Sequence, residues 1–135
     1  MVRSATPEDL PRAAELIRQL HVAHGEAWDT DRATARTVEI MDHCDCYMIG
    51  DPPVAFASLQ DAGDYVLIRH FCMDEAERGK GQGRTGFDAL EAHAFAGRKS
   101  RLYASTVEQR PRAFWEKMGY DVFAYTMQRK PGGPA

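Results

Sequence analysis

Cysteine is scarce in this chain of 135 residues, and the three that occur are an odd number. A disulfide framework is therefore not expected. Cys44-Asp45-Cys46, with His43 before it, has C-x-C spacing and no second ligand pair downstream. Structural zinc sites need four ligands, so two thiols at alternate strand positions turned into a core is the better reading. His21 and His24 fall three apart on one helix face and read as a surface pair, so no metal site is expected. Long apolar runs are missing too. Nothing approaches the ~20 residues of a membrane span, and Met1-Val2-Arg3 leads straight into a helix-start signal without a secretory core. These absences point away from a membrane partner and toward a cytoplasmic protein. There is no basic stripe either: Lys and Arg number 17 against 20 Asp and Glu, for a net charge of −3, which gives no footing for nucleic-acid binding. With no internal repeat and no break in composition, the chain reads as one domain over residues 1–130. A frayed tail at 131–135, containing Pro131-Gly132-Gly133-Pro134, follows it.

What is present is an alternation of extended and helical segments, with an apolar fraction of 44% that suits a soluble core. Residues 2–5 read as a short strand. Thr6-Pro7-Glu8-Asp9 then supplies an N-cap, a proline at the first helical position and an acidic residue three on. Leu10, Ala13, Ala14, Ile17 and Leu20 keep helical spacing to a stop at Gly25. A weaker helix over 31–43 carries Val38, Ile40 and Met41. Strands over 44–49, 54–60 and 65–73 are joined by short turns, which implies an antiparallel meander. A helix with Phe87, Leu90 and Ala94 on one face runs to about 96, with Gly97 as its stop. The next strand, over 102–105, is reached through that helix and is expected to lie parallel to the strand ending at Met73. A last helix opens at Pro111 and closes at Gly119, before an extended stretch over 120–128.

Between the strand at 65–73 and the following helix lies Arg78-Gly79-Lys80-Gly81-Gln82-Gly83-Arg84. Glycines at every second position let backbone N–H groups approach a ligand, and the helix adds its unpaired N-terminal N–H groups and the positive end of its dipole. Such a site suits an anion, most often a phosphate. Arg78, Lys80 and Arg84 concentrate positive charge in an otherwise acidic chain. Two nucleotide readings compete here. Gly81-Gln82-Gly83-Arg84-Thr85-Gly86 spells the dinucleotide fingerprint G-x-G-x-x-G, with Glu108 as its distant acid. In that motif the strand runs into the first glycine, whereas Asp74-Glu75-Ala76-Glu77-Arg78 intervenes here, and too little chain follows for further βαβ units. The second reading takes Arg78-Gly79-Lys80-Gly81-Gln82-Gly83 as R/Q-x-x-G-x-G/A, which resembles the acyl-CoA-binding loop of the GNAT superfamily of N-acetyltransferases. Ala113-Phe114-Trp115-Glu116-Lys117-Met118-Gly119-Tyr120 is similar to that family's late helix and the turn after it. Trp115 stands where the family commonly has tyrosine, and Glu108 falls about where it often has asparagine. Both motifs lie in the C-terminal half; the N-terminal half resembles the family in element order.

The resemblance implies an α/β fold with a mixed central sheet, an antiparallel meander followed by a parallel strand pair, flanked by helices. It implies acetyl-CoA as co-substrate and a small-molecule or peptide amine as acceptor, joined in a ternary complex, with a homodimer as a common assembly. Splayed strands would admit the pantetheine arm along Phe71 and Met73, with the Met73 N–H polarising the thioester, while Arg78, Gly79, Lys80, Gly81, Gln82, Gly83 and Arg84 hold the pyrophosphate. A lysine-like amine has a pKa of about 10.4, so neutralising it at pH 7 costs roughly 4.6 kcal/mol. His70, Glu108, Glu26 and Asp29 are the candidate bases. Trp115 occupies the position of the family's acid but its indole cannot donate a proton, leaving Tyr103, Tyr120 or water. A thiolate, with a parent pKa of about 8.5, leaves without much help. The rival expectation is a module of the same fold that binds acyl-CoA without catalysis.

Overall fold

The computed structural model describes residues 1–103, 106 and 112–121. Five strands form one sheet in chain order: β1 (Val2–Ser4), β2 (Asp45–Ile49), β3 (Ala55–Asp61), β4 (Tyr65–Met73) and β5 (Lys99–Leu102). The first three pairings are antiparallel and the last, β4 with β5, is parallel. Helices α1 (Leu10–Ala23) and α2 (Thr30–His43) precede β2, while α3 (Gln82–Ala94) connects β4 to β5 and α4 (Arg112–Lys117) follows. This is the mixed sheet that the sequence led us to expect.

Side-chain alternation along the strands sorts the core into two layers. Ala13, Leu16, Ile17 and Leu20 of α1 and Ile40 of α2 pack on Met48, Phe56 and Cys72. The residues next to these in the strands, Ile49, Ala55, Ala57, Phe71 and Met73, face Phe87 and Leu90 of α3, Phe95, and Trp115 of α4. The start of α1 is fixed by Asp9, which accepts from the Thr6 backbone N–H at 2.8 Å and holds both guanidinium ends of Arg3 at 2.7 Å. That pairing drops the Asp9 carboxyl to a pKa of about 2.

The parallel strand begins three residues before the expected 102–105, since it occupies Lys99–Leu102; residues 104 and 105 lie outside the described residues. Leu102-Tyr103-Ala104 attracted the strand reading by its apolar character, yet the ladder is made by the polar residues before it. Their side chains are satisfied sideways: the Arg101 guanidinium lies 3.9 Å over the Tyr65 ring, and the Ser100 hydroxyl bonds the Tyr120 hydroxyl. The extended stretch expected beyond Asp121, and the tail at 131–135, lie outside the described residues. No helix among the described residues is long and apolar enough to cross a membrane.

Candidate active site

The site is built around an irregularity in β4. Ser58 pairs with His70 but its neighbour Leu59 pairs with Ile68, so Arg69 is an extra residue in β4. Such a bulge bends the strand and increases its twist. The parallel ladder with β5 ends at the same point, at Ile68↔Leu102. Thr106 marks the fork: its hydroxyl donates to the Ile68 and Arg69 carbonyls, each at 2.8 Å, while the Tyr103 N–H still reaches Ile68 at 3.1 Å. Beyond the fork β4 continues to Met73. The Asp74 N–H donates to Val54 of the β3 side at 2.8 Å, so by strand alternation the N–H of Met73 points away from β3, toward the side where, among the described residues, the β5 ladder reaches only Leu102. The side chains of Phe71 and Met73 are buried in the α3-side core. Any contact these two make with a thioester or pantetheine chain is therefore through the backbone.

The glycine loop follows directly and is tied to α1. Asp74 accepts from the Ala76 N–H at 3.0 Å and takes the Arg12 guanidinium at 2.6 Å; Arg12 also donates to the Pro53 carbonyl at 2.9 Å. The Gln19 side chain accepts from the Glu75 N–H at 2.9 Å. Gly79 and Gly81 have φ of +78° and +74°, a region closed to most side chains, and Gly81 is the N-cap of α3 without any side-chain cap. The N–H groups of the first turn of α3 are thus left to an external acceptor. Gly83 serves a different need from the one its spacing suggested: it lies inside α3, where a Cβ would come within 3.2 Å of the Phe114 ring. Arg78 reaches back to the Met73 carbonyl at 3.5 Å, Lys80 sits 3.8 Å from Glu77, and Arg84 lies 3.9 Å from Asp88. Gln82 is the first residue of α3. The cofactor residues named from sequence therefore form one continuous edge from β4 to α3.

On the opposite face of the sheet β4 carries His70, buried at 8% exposure and sharing a 2.7 Å hydrogen bond with Ser58 through Nδ1. Burial holds its imidazole far below the usual value, at about 4, and the positive charges of Arg36 and Arg69 push the same way. His70 is therefore neutral at pH 7. Arg69 donates to Gln60 at 3.2 Å and stacks 4.2 Å over the half-exposed Tyr103 ring. Ser58, Arg36, Arg69, Arg12 and Gln19 were not singled out in the sequence. The partners of Ser58, Arg69, Arg12 and Gln19 lie on other elements, which only the folded sheet brings together, while Arg36 pairs with Glu39 of its own helix.

Other candidates have structural duties. Asp29 caps α2, accepting from the Arg32 N–H at 2.8 Å. Glu26 takes the Trp28 indole N–H at 2.8 Å and meets His21 at 3.1 Å, which holds its carboxyl below the usual range. Trp28 is stacked flat on His21 at 3.6 Å with Arg32 at 4.4 Å from its ring, so it fastens the α1–α2 loop. Tyr120 is pushed up to about 12 by burial, which makes it a weak acid, and its hydroxyl is bonded to Ser100. Trp115, 2% exposed, is in edge contact with Phe87 at 5.9 Å, Phe114 at 5.0 Å and Tyr120 at 5.9 Å. Glu108 lies outside the described residues. Cys46 is pushed up to about 12 by burial, and no metal-binding cluster occurs among the described residues. The dinucleotide reading fails on the sheet: a doubly wound fold needs successive parallel pairs, and among the described residues a single parallel pair follows an antiparallel meander.

Known structures share this fold. A possible acetyltransferase from Clostridium difficile 630 superposes with a TM-score of 0.73 at 18% identity, over 96% of this chain and 95% of its own. A protein of Agrobacterium tumefaciens str. C58, provisionally assigned as an acetyltransferase, gives 0.69 at 26% identity, over 96% of this chain and 99% of its own. A transcriptional regulator from Bacillus halodurans C-125 shares the fold as well, at 0.61 and 13% identity over 96% and 98%. No curated protein matches the chain. The model of the acetyltransferase (GNAT) family matches residues 12–120, a span that runs from the Arg12 anchor through the β4 fork and the Gly81-capped helix to Tyr120, and by that match the chain belongs to the GNAT acetyltransferase family.

Proposed function

We propose that this protein is an N-acyltransferase that moves the acetyl group of acetyl-CoA to a primary amine by direct attack. One observation carries the reading: the Met73 N–H points away from β3, on a stretch of β4 with no ladder partner among the described residues of the β5 side, and the N-terminus of α3, without a side-chain cap, follows within one short loop. The first suits a thioester oxygen and the second a pyrophosphate. Gly79 and Gly81 leave the loop backbone bare, and no atom lies within 4 Å of where their Cβ atoms would be. Arg78, Lys80 and Arg84 supply charge along the same edge.

In the proposed reaction the neutral amine attacks the thioester carbonyl carbon, a C–N bond forms, and the Met73 N–H supports the oxyanion. The C–S bond then breaks, CoA leaves as thiolate, and the amine proton passes to solvent. With a pKa of about 4, His70 does not hold that proton at pH 7. Its part is to accept a hydrogen bond from the amine or to relay the proton onward. A second reading draws on the same fact. The low pKa of His70 and the burial of Trp115 suit a domain that binds acyl-CoA without turning it over.

Thermal unfolding with acetyl-CoA and CoA release with an amine panel test both readings. Acetyl-CoA at a hundredfold excess over its Kd should stabilise the protein by about 2.7 kcal/mol, a shift of roughly 5 to 10 °C. A shift with amine-dependent CoA release supports the enzyme, and a shift without release supports the binding module. No shift refutes both.

A further inference from the structure

The N–H of Met73 faces the opposite edge from the one that the start of its own strand dictates. Along a regular strand the N–H and C=O groups of successive residues face alternate edges, so residues an even number of steps apart share one. At the start of β4 the Tyr65 carbonyl faces the β3 side, where it accepts from the Ala62 N–H at 3.0 Å; the Ile68 carbonyl faces β5, where it accepts from the Tyr103 N–H at 3.1 Å. Continued without interruption, that phase assigns residues 69, 71 and 73 to β3. The far end of the strand shows the reverse: the Asp74 N–H donates to Val54 at 2.8 Å, so Asp74 faces β3 and Met73 does not. The inversion comes from the one extra residue, Arg69, between the Leu59↔Ile68 and Ser58↔His70 pairs. The proposed oxyanion donor therefore owes its direction to a bulge earlier in the same strand.

A bulge leaves carbonyls that the ladder does not serve, and buried ones need donors. Thr106 serves two of them. Its side chain is fully buried, at 0% exposure, and its hydroxyl lies 2.8 Å from the Ile68 oxygen and 2.8 Å from the Arg69 oxygen. A hydroxyl has a single proton, so the two bonds share it in a three-centre arrangement. That arrangement is met only when two consecutive carbonyls converge on one point, which fixes the rotation of the peptide planes at the bulge. Thr106 is itself held, because its N–H donates to the Tyr103 carbonyl at 2.9 Å while the Tyr103 N–H holds Ile68. The β3 ladder on both sides of the bulge sets the register of β4 without Thr106. What the hydroxyl adds is the local geometry.

We infer that Thr106 is a positioning residue of the acyl transfer: its hydroxyl holds the Arg69 bulge in the geometry that aims the Met73 N–H at the thioester oxygen. The inference rests on the acyltransferase reading above. Thr106 acts through the backbone of β4 and not on the reacting atoms. Its task is separate from phosphate binding, because the glycine loop is tied to α1 through Arg12 and Gln19. Loss of the hydroxyl should therefore be felt where the oxyanion forms more than in the affinity for acetyl-CoA.

The test compares Thr106→Val, which keeps the side-chain shape and removes the donor, with Thr106→Ser, which keeps the donor and removes the methyl. CoA release is followed well below the melting temperature, with the amine of the panel that wild type turns over fastest. Thr106→Val should lower kcat roughly tenfold or more and leave the acetyl-CoA KM within about threefold, the pattern of an interaction made in the transition state. Thr106→Ser should regain most of kcat. The amide NMR resonance of Met73 should move in Thr106→Val and stay near its wild-type position in Thr106→Ser. A merely structural threonine would lower Tm and leave kcat unchanged, and that result overturns the inference while the acyltransferase reading stands. A loss of kcat that Thr106→Ser does not recover overturns it as well, because packing of the methyl would then be the cause. If Thr106→Val gives no acetyl-CoA thermal shift and so is not folded, Thr106→Ala removes the same donor without a methyl against the carbonyls and is held to the same outcomes; failure of both to fold makes Thr106 structural and overturns the inference. No turnover of any amine by wild type, with its acetyl-CoA shift intact, overturns the acyltransferase reading and the inference with it.

Discussion

His70 makes the stability of this protein depend on pH in a window where few other groups act. Its imidazole is held at about 4 in the folded chain, first by burial and then by Arg36, Arg69 and His21. In the unfolded chain it returns to about 6.5. A base whose folded pKa is depressed contributes stability that is fully present above the unfolded value and is lost as pH falls toward the folded one. Between pH 7.5 and 5 the unfolded chain takes up this proton and the folded chain hardly does, which removes roughly 2 kcal/mol; the full loss below pH 4 is about 3 kcal/mol. Carboxylates respond mainly below about 4.5, so they contribute little above pH 5. Urea unfolding of wild type and of His70→Gln at pH 7.5, 6 and 5 isolates the effect. Glutamine keeps a polar partner for Ser58 but does not titrate. Wild type should lose about 2 kcal/mol more than the variant over this range, or roughly 8 °C in Tm. Equal pH slopes in the two proteins, or a His70 midpoint at or above 6.5 by NMR, would refute the reasoning.

Three further outcomes follow from the loop and the core. Gly81→Val places a β-branched residue at a φ of +74°, which should cost about 1–2 kcal/mol in the ligand-free protein and remove most of the acetyl-CoA thermal shift; a variant with the full shift would show that the cap does not meet the ligand. Arg78→Gln should weaken acetyl-CoA in a salt-dependent way while changing ligand-free stability by only a few tenths of a kcal/mol, and an equal loss without ligand would make Arg78 structural. Trp115→Phe should cost about 1–3 kcal/mol of stability by loosening the cluster around Phe87. It should keep measurable turnover, whereas complete loss of turnover in a folded variant would give the indole a direct part in the reaction.

The parts of the fold that could be read in the sequence are those set by local chemistry. Residues 65–73 alternate and end at an acidic turn, and the strand has those same bounds. Thr6 to Asp9 spell a helix start, and Asp9 is indeed bonded to the Thr6 backbone. The glycine loop was legible because positive φ and an uncapped helix leave a mark in composition. The Arg69 bulge was not: it is a mismatch between two strands, and neither carries a sign of it alone. The Ser58–His70 bond crosses strands, and Arg12 meets Asp74 from 62 positions away. The start of β5 was missed because its ladder opens with Lys99, Ser100 and Arg101, which carry no apolar rhythm; the Ser100 and Arg101 side chains find partners sideways.

These long-range features bring the two halves of the proposed reaction to one strand edge. On one face β4 gives Phe71 and Met73 to a filled aromatic core; on the other it gives His70 and Cys72 to the layer under α1. Neither face alone presents a backbone donor, because strand N–H groups lie in the plane of the sheet. Only an edge presents them. A regular parallel ladder continued beyond Ile68 would turn that edge into sheet interior and engage the Met73 N–H with β5. Among the described residues the ladder runs to Ile68↔Leu102, where the bulge at Arg69 and the bonds from Thr106 lie. The Arg12–Asp74 pair and the Gln19–Glu75 bond then fix the exposed end of β4 and the start of the glycine loop to α1, the helix that also covers the His70 face. The β4 edge proposed for the thioester and the glycine loop proposed for the pyrophosphate thus share one support in α1, as a reaction that gains from fixed approach geometry requires.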